Sequence, residues 1–451
     1  MGFQNKKVAI LGLGIENRPL AAWLIRAGAK VAICDKNSNL VKDIKDIEEW
    51  RLGEHYLDSL TDFEIVFRTP GIPFLNKKIQ EAKARGVVIS SQTKLFFDFC
   101  GAKIIGVTGT KGKGTTSSLI TSILKAAFSS TGKKIHLVGN IGKSAIEIID
   151  EIKAQDYVVM ELSSFQLQDL EKSPHIGVVL NVSQDHLDLH RNEAEYLKAK
   201  TNILSSQKTD DFAIISADFL TSIEFAAVTK GKIFWFSNRK SVDCGTFVLE
   251  RDLVYRDSDS GLEEKIISID AVKLRGKHNL SNIAAAITAS KILNIEAEII
   301  QKAIREFPPP PHRIQFVGEA GGVEYYDDSY ATSPAPAYAA INSFTKPLIL
   351  IAGGSDKGLD YQDLAKAIVT KKIQVVLMGP VGGKIKEAIL AINKDYKIFE
   401  EENLKQAFAR ASNLAQNGEI VLLSPAAASF NEFKNATQRG ETFQKMVEGI
   451  H

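Results

Sequence analysis

The stretch GVTGTKGKGTTSSLI, Gly106 to Ile120, decides how this chain is read. The apolar run KIIGV leads into it, Gly109, Gly112 and Gly114 punctuate it together with Lys111 and Lys113, and the helix-forming TTSSLITSILKAAF follows. Strand, glycine-rich turn and helix in that order build a phosphate site, because successive backbone N–H groups and the positive end of the helix dipole converge on one anion. The spelling departs from G-x-x-x-x-G-K-[ST]. Counting back from Gly112 reaches Val107, and Lys113 is followed by Gly114 rather than by a hydroxyl residue. The context still predicts a nucleotide loop in which Gly109, Thr110, Gly112 and Gly114 approach the phosphates and Lys113 neutralises their charge. Thr115 or Thr116 offers a hydroxyl to Mg2+, and Lys111 reads as a solvated flank.

A magnesium–nucleotide site needs hard oxygen ligands nearby. VVMELSSFQL puts Glu161 at the end of a buried strand, where a carboxylate is costly unless it meets a metal or a cation. LNVSQDHLDLH ends another strand with Asp185, His186, Asp188 and His190. The His-Leu-Asp-Leu-His run looks like a zinc cluster, but paired cysteines and H-E-x-x-H are both missing, so zinc is set aside.

Outward from the loop, short apolar runs alternate with helical patterns. KVAILGLG, AKVAICD, FEIVFRTPG and GVVISS predict buried strands, and NRPLAAWLIRAG predicts a helix closed by Gly28, so the first hundred residues form a parallel, doubly wound sheet. ILGLGIEN resembles a dinucleotide fingerprint, with Gly12 and Gly14 in place and Asp35 ending the next strand, but its third position is Asn17 rather than Gly or Ala. That favours a Rossmann-like domain for another nucleotide over an NAD oxidoreductase. The helix start at Gly14, Ile15, Glu16 and Asn17 is placed to hold a diphosphate, and RTPGIP (68–73) is a second turn at a strand's carboxyl end. The block from AKIIGVTGTKGKG onward adds YVVMEL, IGVVLNVS, FAIIS, GKIFWFS, GTFVLERDLVYRD and EKIISI, the last ones partly antiparallel. EFPPPPHR is the strongest punctuation, and after it PLILIAGG, IQVVLMG and EIVLLSP again alternate with helices. The predicted fold is α/β in three domains. Residues 1–99 form a Rossmann-like domain, 100–307 a P-loop ATPase domain with extra antiparallel strands, and 308–451 a further Rossmann-like α/β domain.

Bulk properties narrow the class. The chain has 451 residues, 44% hydrophobic and 24% charged, as soluble multidomain proteins have. A net charge of +2 shows no polyanion-binding excess, so no nucleic-acid partner is expected. Three scattered cysteines fit a reducing compartment, and no apolar run is long enough to span a bilayer, so a cytoplasmic protein without membrane insertion is expected.

Eight segments then carry a specific resemblance: GVTGTKGKGTT, GNIG, ELSSFQL, NVSQDHLDLH, GKHNLSNIAAA, PHR, DDSYAT and LLSPAAASFNEFKNATQRGETF. Their order resembles that of the Mur ligases, ATP-dependent amide-forming enzymes of peptidoglycan precursor synthesis. ELSSFQL and SPAAASFNEFKNATQRG are most similar to the branch that adds D-glutamate to UDP-N-acetylmuramoyl-L-alanine. The resemblance implies a monomer with small-molecule substrates, namely ATP, D-glutamate and the UDP-sugar, and two Mg2+ sites. It places ATP phosphates at Lys113, one Mg2+ at Thr115 and Glu161, and a second Mg2+ at His186. It implies a carbamylated lysine at Lys200; Lys198 competes on spacing alone. Adenine falls to Asn279 and Asn282, and further ATP and catalytic contacts to Arg313 and Asp328. The UDP-sugar falls to Gly14, Ile15, Glu16, Asn17, Asp35, Lys36, Thr69, Pro70, Gly71, Asn140 and His186. D-Glutamate falls to Thr332, Lys357, Ser429 and Phe430. Three positions depart from the family's pattern: Tyr330 stands where a lysine is frequent, Asn37 where some members carry an arginine near the uracil, and Gly114 inside the loop. GTKGKG is the spelling of folylpolyglutamate synthases, but those begin close to the loop and lack ELSSFQL, so they are the alternative.

Overall fold

The computed structural model describes residues 2–14, 16–183, 192–274, 276–308, 311–356 and 358–450. The chain divides into two compact units, Met1–Val272 with His278–Glu306, and Lys273–Lys277 with Phe307–His451.

The first unit holds two sheets. One consists of β1 (Lys7–Leu11), β2 (Lys30–Asp35), β3 (Glu49–Leu52), β4 (Ile65–Arg68) and β5 (Val88–Ser91), in the order β3-β2-β1-β4-β5. Every pair is parallel. The near-continuous apolar runs of β1, β2 and β4 follow from that, because helices cover both faces of such a sheet. β3, EWRL, escapes the pattern because it is an edge strand, where charge blunts pairing with other chains. The strand order reverses at β1, so the loop after β1 and the turn after β4 flank a crevice at the carboxyl ends.

The second sheet has nine strands: β6 (Lys103–Thr108), β7 (Ile135–Gly139), β8 (Tyr157–Glu161), β9 (Ile176–Val179), β10 (Phe212–Ser216), β11 (Lys232–Ser237), β12 (Gly245–Leu249), β13 (Asp252–Arg256) and β14 (Glu263–Ser268). Their order is β14-β13-β12-β11-β10-β9-β6-β8-β7. Pairing is parallel from β7 through β12 and antiparallel from β12 to β14, the mixture the sequence predicts. One continuous core runs from Val8, Ile10 and Phe67 of the first sheet to Val138, Val158 and Met160 of the second.

The second unit contains β15 (Gln315–Ala320), β16 (Val323–Asp327), β17 (Leu348–Gly353), β18 (Gln374–Met378), β19 (Ile398–Glu401) and β20 (Ile420–Leu423). Their order is β15-β16-β20-β17-β18-β19, parallel apart from the β15–β16 hairpin. β16, β17 and β20 deliver Asp328, Gly354 and Ser424 to one edge of this sheet. Among the described residues, no helix is long and apolar enough to cross a membrane.

Packing at the edge of the nine-stranded sheet is tight. Gly139 ends β7 at φ +103°, and a Cβ there would lie 2.2 Å from the Glu161 carbonyl oxygen. Gly139→Ala should therefore cost about 2–4 kcal/mol, through backbone strain and a steric clash. Denaturant unfolding of the full chain checks this, and a midpoint equal to that of the parent would refute it.

Candidate active site

β6 passes the chain into the glycine-rich loop at Thr108. Gly109 adopts φ +154°, and a Cβ on it would stand 2.7 Å from the Leu180 Cβ. Thr110 anchors the loop to the end of the neighbouring strand: its N–H donates to Asn181 O at 2.7 Å and its hydroxyl to Ser183 O at 2.9 Å. The Tyr196 hydroxyl lies 3.0 Å from the Thr110 hydroxyl oxygen. Gly112, at φ +87°, caps the helix Lys113–Ala127, so that the orphan N–H groups of the first turn face the loop. A Cβ on Gly112 would fall 2.3 Å from Asn282 Oδ1, which puts the helix Lys277–Ile292 directly behind the loop. Asn282 is positioned by donating to Asn279 Oδ1 at 2.9 Å.

Gly114 now has a physical reason. A Cβ there would stand 3.2 Å from Glu161 Oε2, so the bare glycine lets the carboxylate lie against the first helical turn. Glu161 ends β8 and is 7% exposed. A cavity of about 160 Å3 opens beside it, lined by Thr110, Lys113, Asn140, Glu161, Tyr196 and Lys200 and walled by Ser163–Phe165. Ser163 and Gln166 form a capping box that fixes this wall, with Ser163 N donating to Gln166 Oε1 at 3.0 Å and Gln166 N to Ser163 Oγ at 3.2 Å.

Two ammonium groups enter the cavity. Lys113 Nζ donates to Gly109 O at 3.0 Å and Thr110 O at 3.1 Å. Lys200 is 1% exposed and donates to Gly109 O at 2.9 Å and Thr108 Oγ1 at 3.3 Å. Tyr196 and Lys200 lie one helical turn apart in Glu193–Ser205, which brings the ammonium to 4.8 Å from the ring centre. Lys198, the competitor by spacing, is exposed. Thr115 is partly exposed, whereas Thr116 is fully buried and its hydroxyl finds no hydrogen-bond partner among the described residues. Among the described residues neither threonine lines the cavity, and Lys111 is exposed as a flank should be. Ile15, His186 and Lys357 lie outside the described residues, as do Asp185, Asp188 and His190.

At the first sheet's crevice the two turns touch, since a Cβ on Gly12 would meet Thr69 Cγ2 at 2.8 Å. Gly14 and Lys36 are exposed at its rim, with Thr69 and Pro70 half-buried and Gly71 exposed. Two of the expected contact residues have side chains engaged within the loop. Asn17 is 1% exposed, and its Nδ2 donates to Leu11 O at 3.3 Å and Gly12 O at 2.8 Å, so its side chain closes the loop from within instead of facing a ligand. Asp35 likewise accepts from Leu13 N and Asn37 N, each at 2.8 Å, and its carboxylate shapes the loop. Glu16 is held above the usual carboxylate range by burial, against the pull of a hydrogen bond from Gln166 and the charge of Arg68. Arg68 itself was not singled out from sequence. The signal was present, as an arginine closing the otherwise apolar strand IVFR.

In the second unit, Asp328 is 6% exposed, accepting from Ser424 Oγ at 2.6 Å and Ile314 N at 3.2 Å. Burial pushes its carboxyl up to about 7. Beside it, Asp327 Oδ2 lies 2.7 Å from His312 Nδ1 and accepts from Gln444 Nε2 at 2.8 Å. Arg439, which sequence reasoning missed, is 1% exposed and donates to Ser329 O at 2.8 Å and Ala427 O at 3.0 Å. It thus ties together the loops after β16 and β20, and burial lowers its guanidinium to about 10. Ser355 N donates to Ala428 O at 2.8 Å, bringing the GGSDKG loop alongside Ser429, which is buried. Thr332 is half-buried, Arg313 is exposed with its guanidinium 5.7 Å from the Tyr330 ring centre, and Phe430 is 71% exposed.

Three family descriptions match consecutive parts of the chain. They are the Mur ligase MurD-like N-terminal domain at residues 6–91, the Mur ligase middle domain at 107–290, and the Mur ligase glutamate ligase domain at 312–427. UDP-N-acetylmuramoylalanine–D-glutamate ligase of Symbiobacterium thermophilum is 39% identical, the match covering 99% of this chain and 98% of the relative. The protein of that name from Acetivibrio thermocellus is also 39% identical, over 99% of this chain and 97% of the relative. The chain belongs to the Mur ligase family. Its three α/β domains are those of the family, as the sequence implies. Solved structures share the fold. The UDP-N-acetylmuramate–alanine ligase of Thermotoga maritima has a TM-score of 0.60 at 18% identity, covering 98% of this chain and 99% of that one. Folylpolyglutamate synthase of Mycobacterium tuberculosis, complexed with ADP, has a TM-score of 0.58 at 14% identity, covering 78% of this chain and 93% of that one.

The Asp328 environment has a consequence for stability. Between the ordinary carboxyl value of about 4 and the folded value of about 7, the folded chain keeps a proton that the unfolded chain has released. Stability from this group therefore falls as pH rises through that window and levels off above it. Asp328→Asn should remove up to about 1.4 kcal/mol per pH unit of that slope. Urea unfolding of both proteins from pH 4 to 8 checks this, and parallel curves would exclude it.

Proposed function

We propose that this chain is an ATP-dependent ligase that joins D-glutamate to UDP-N-acetylmuramoyl-L-alanine in peptidoglycan precursor synthesis. The observation that carries the reading is the meeting of Lys113, Glu161 and Lys200 in one cavity under a helix N-terminus, in a chain similar along its whole length to relatives of that name.

The carboxylate of the UDP-sugar attacks the γ-phosphorus of ATP, forming an acyl phosphate as ADP leaves. The amine of D-glutamate then attacks the acyl carbon, and phosphate departs with the electrons of the broken C–O bond. Lys113 and the N–H groups of loop and helix stabilise charge on the transferring phosphoryl group, so positioning and electrostatics carry the catalysis. The residues fit magnesium. Glu161 offers a hard oxygen at the cavity, and among the described residues no cluster of three His, Cys, Asp or Glu side chains forms a closed metal cage. Mg2+ is commonly held in this way, by one or two carboxylates plus phosphates and water. Glu161 with Thr115 or Thr116 would hold one ion and His186 a second; the metal would supply further charge neutralisation at the phosphates.

Lys200 as carbamate completes the proposal. Its ammonium would repel a neighbouring cation, whereas the carbamate brings negative charge and two oxygens while keeping an N–H for Gly109 O. Asn279, Asn282, Arg313 and Asp328 serve the rest of ATP. Gly14, Ile15, Glu16, Lys36, Thr69, Pro70, Gly71 and Asn140 serve the UDP-sugar, with Asn17 and Asp35 shaping its loop. Thr332, Lys357, Ser429 and Phe430 receive D-glutamate. We take the domains as 1–99, 100–307 and 308–451, and the protein as a cytoplasmic monomer.

Phosphate release from ATP, Mg2+ and UDP-N-acetylmuramoyl-L-alanine should require D-glutamate; equal release with another amino acid in its place would sink the substrate assignment. Lys113→Ala should lower turnover by at least about a thousandfold without shifting the melting temperature. Lys200→Ala should lose most activity and regain part of it with acetate or formate. Unaltered activity would dismiss the carbamate.

A further inference from the structure

Arg68 is a buried guanidinium with no assigned task. Its side chain and that of Asp169 are 0% and 3% exposed, and they pair at 3.0 Å. Two buried charges lose hydration worth several kcal/mol each, which a well-formed pair offsets only in part. An apolar pair would hold two sheets together at least as well, so the geometry of this one needs another account.

The guanidinium serves two separate segments at once. Nη1 donates to Thr69 O at 3.3 Å and Ile72 O at 2.9 Å, within the turn after β4. Nη2 donates to Phe165 O and Asp169 Oδ1, each at 3.0 Å, in the connection between β8 and β9. That same connection touches the crevice twice more. Gln166 Nε2 donates to Glu16 Oε1 at 3.2 Å in the loop after β1, and Gln168 Oε1 accepts from Phe74 N at 3.3 Å. Phe165 also forms part of the wall of the phosphate cavity. One short segment therefore holds both turns of the first crevice and borders the cavity.

We propose that Arg68 is a positioning residue that fixes the Thr69–Ile72 turn to the cavity wall at Phe165, so that a UDP-linked substrate held in the crevice meets the phosphoryl group at a set depth. The inference rests on the function proposed above. The planar fork is essential to it, since an ammonium cannot present parallel donors to both segments.

The decisive variant is Arg68→Met with Asp169→Leu, which removes both charges and leaves neither buried alone. It should remain folded. Hydrogen exchange in peptides covering residues 69–76 should accelerate, and KM for UDP-N-acetylmuramoyl-L-alanine should rise about tenfold or more, with KM for ATP changed less than about twofold. Unchanged exchange and an unchanged KM for the UDP-sugar would overturn the proposal. A purely structural pair would instead shift melting and leave the ratio of the two KM values alone. Should the double variant fail to fold, Arg68→Lys decides by the same criteria, because it keeps the charge opposite Asp169 and loses the fork. Calorimetric titration of the parent protein with the UDP-sugar separates the two ideas. Parent binding without the variant's defect fails the Arg68 role alone, whereas faster exchange at 69–76 in a protein that never binds the UDP-sugar fails the functional reading alone.

Discussion

Parallel strands that start on one edge of a sheet must end on the other, and the whole site depends on that constraint. β6, β8 and β9 are neighbours, so the glycine loop, the Glu161 carboxylate and the Asn181–Ser183 anchor all emerge at one edge. No long-range search is needed to bring them together. What the sheet does not supply is room, and glycine supplies that: Gly109 beside Leu180, Gly112 beside Asn282, Gly139 beside the Glu161 backbone. Each lets a neighbouring backbone or side chain approach closer than a Cβ would allow.

Much of this was legible in the sequence because period and burial agree there. KIIGV, YVVME and IGVV are apolar throughout since helices cover both faces of a parallel sheet, and that pattern survives in the primary sequence. Lys113 and Glu161 were identified by motif and Lys200 by the family resemblance, and the three do meet. The features missed are those whose meaning is purely tertiary. β3 is a charged edge strand with weak local signal. Arg68 and Arg439 owe their importance to carbonyls about a hundred residues away or across two loops, and a lone arginine carries no period. Asn17 was read as part of a helix start that holds a diphosphate through backbone N–H groups, which leaves its side chain unassigned. Its short amide instead reaches the carbonyls of Leu11 and Gly12, satisfying acceptors that the tight turn leaves open.

Gly114 shows how a local spelling misleads when read without its neighbours. By itself it points to the folate-type enzymes, whose fold this chain shares over most of its length. In the structure a Cβ here would stand 3.2 Å from a Glu161 carboxylate oxygen, a tight contact that a small movement of that side chain relieves. The residue therefore reports on Glu161 packing and is silent about the substrate. In the function proposed above, the UDP-linked substrate falls instead to the crevice of the first sheet, between the turns after β1 and β4.

The charge balance of the cavity is the last step. Two ammonium groups and one carboxylate share about 160 Å3, and both lysines donate to the carbonyl of Gly109. With anionic phosphates present, Lys113 is well matched to its task. Lys200 is different, since it sits deeper at 1% exposure and already has its donors directed at Gly109 and Thr108. A second buried cation helps bind the phosphates but opposes the metal that accompanies them, and the opposition grows as the cavity dries. The carbamate proposed above would turn that one side chain from a cation into an anion and so relieve the conflict. Tyr196, one turn away on the same helix face, packs with its ring centre 4.8 Å from the Lys200 ammonium. The same edge that carries Lys113 and Glu161 into the cavity thus also faces Lys200.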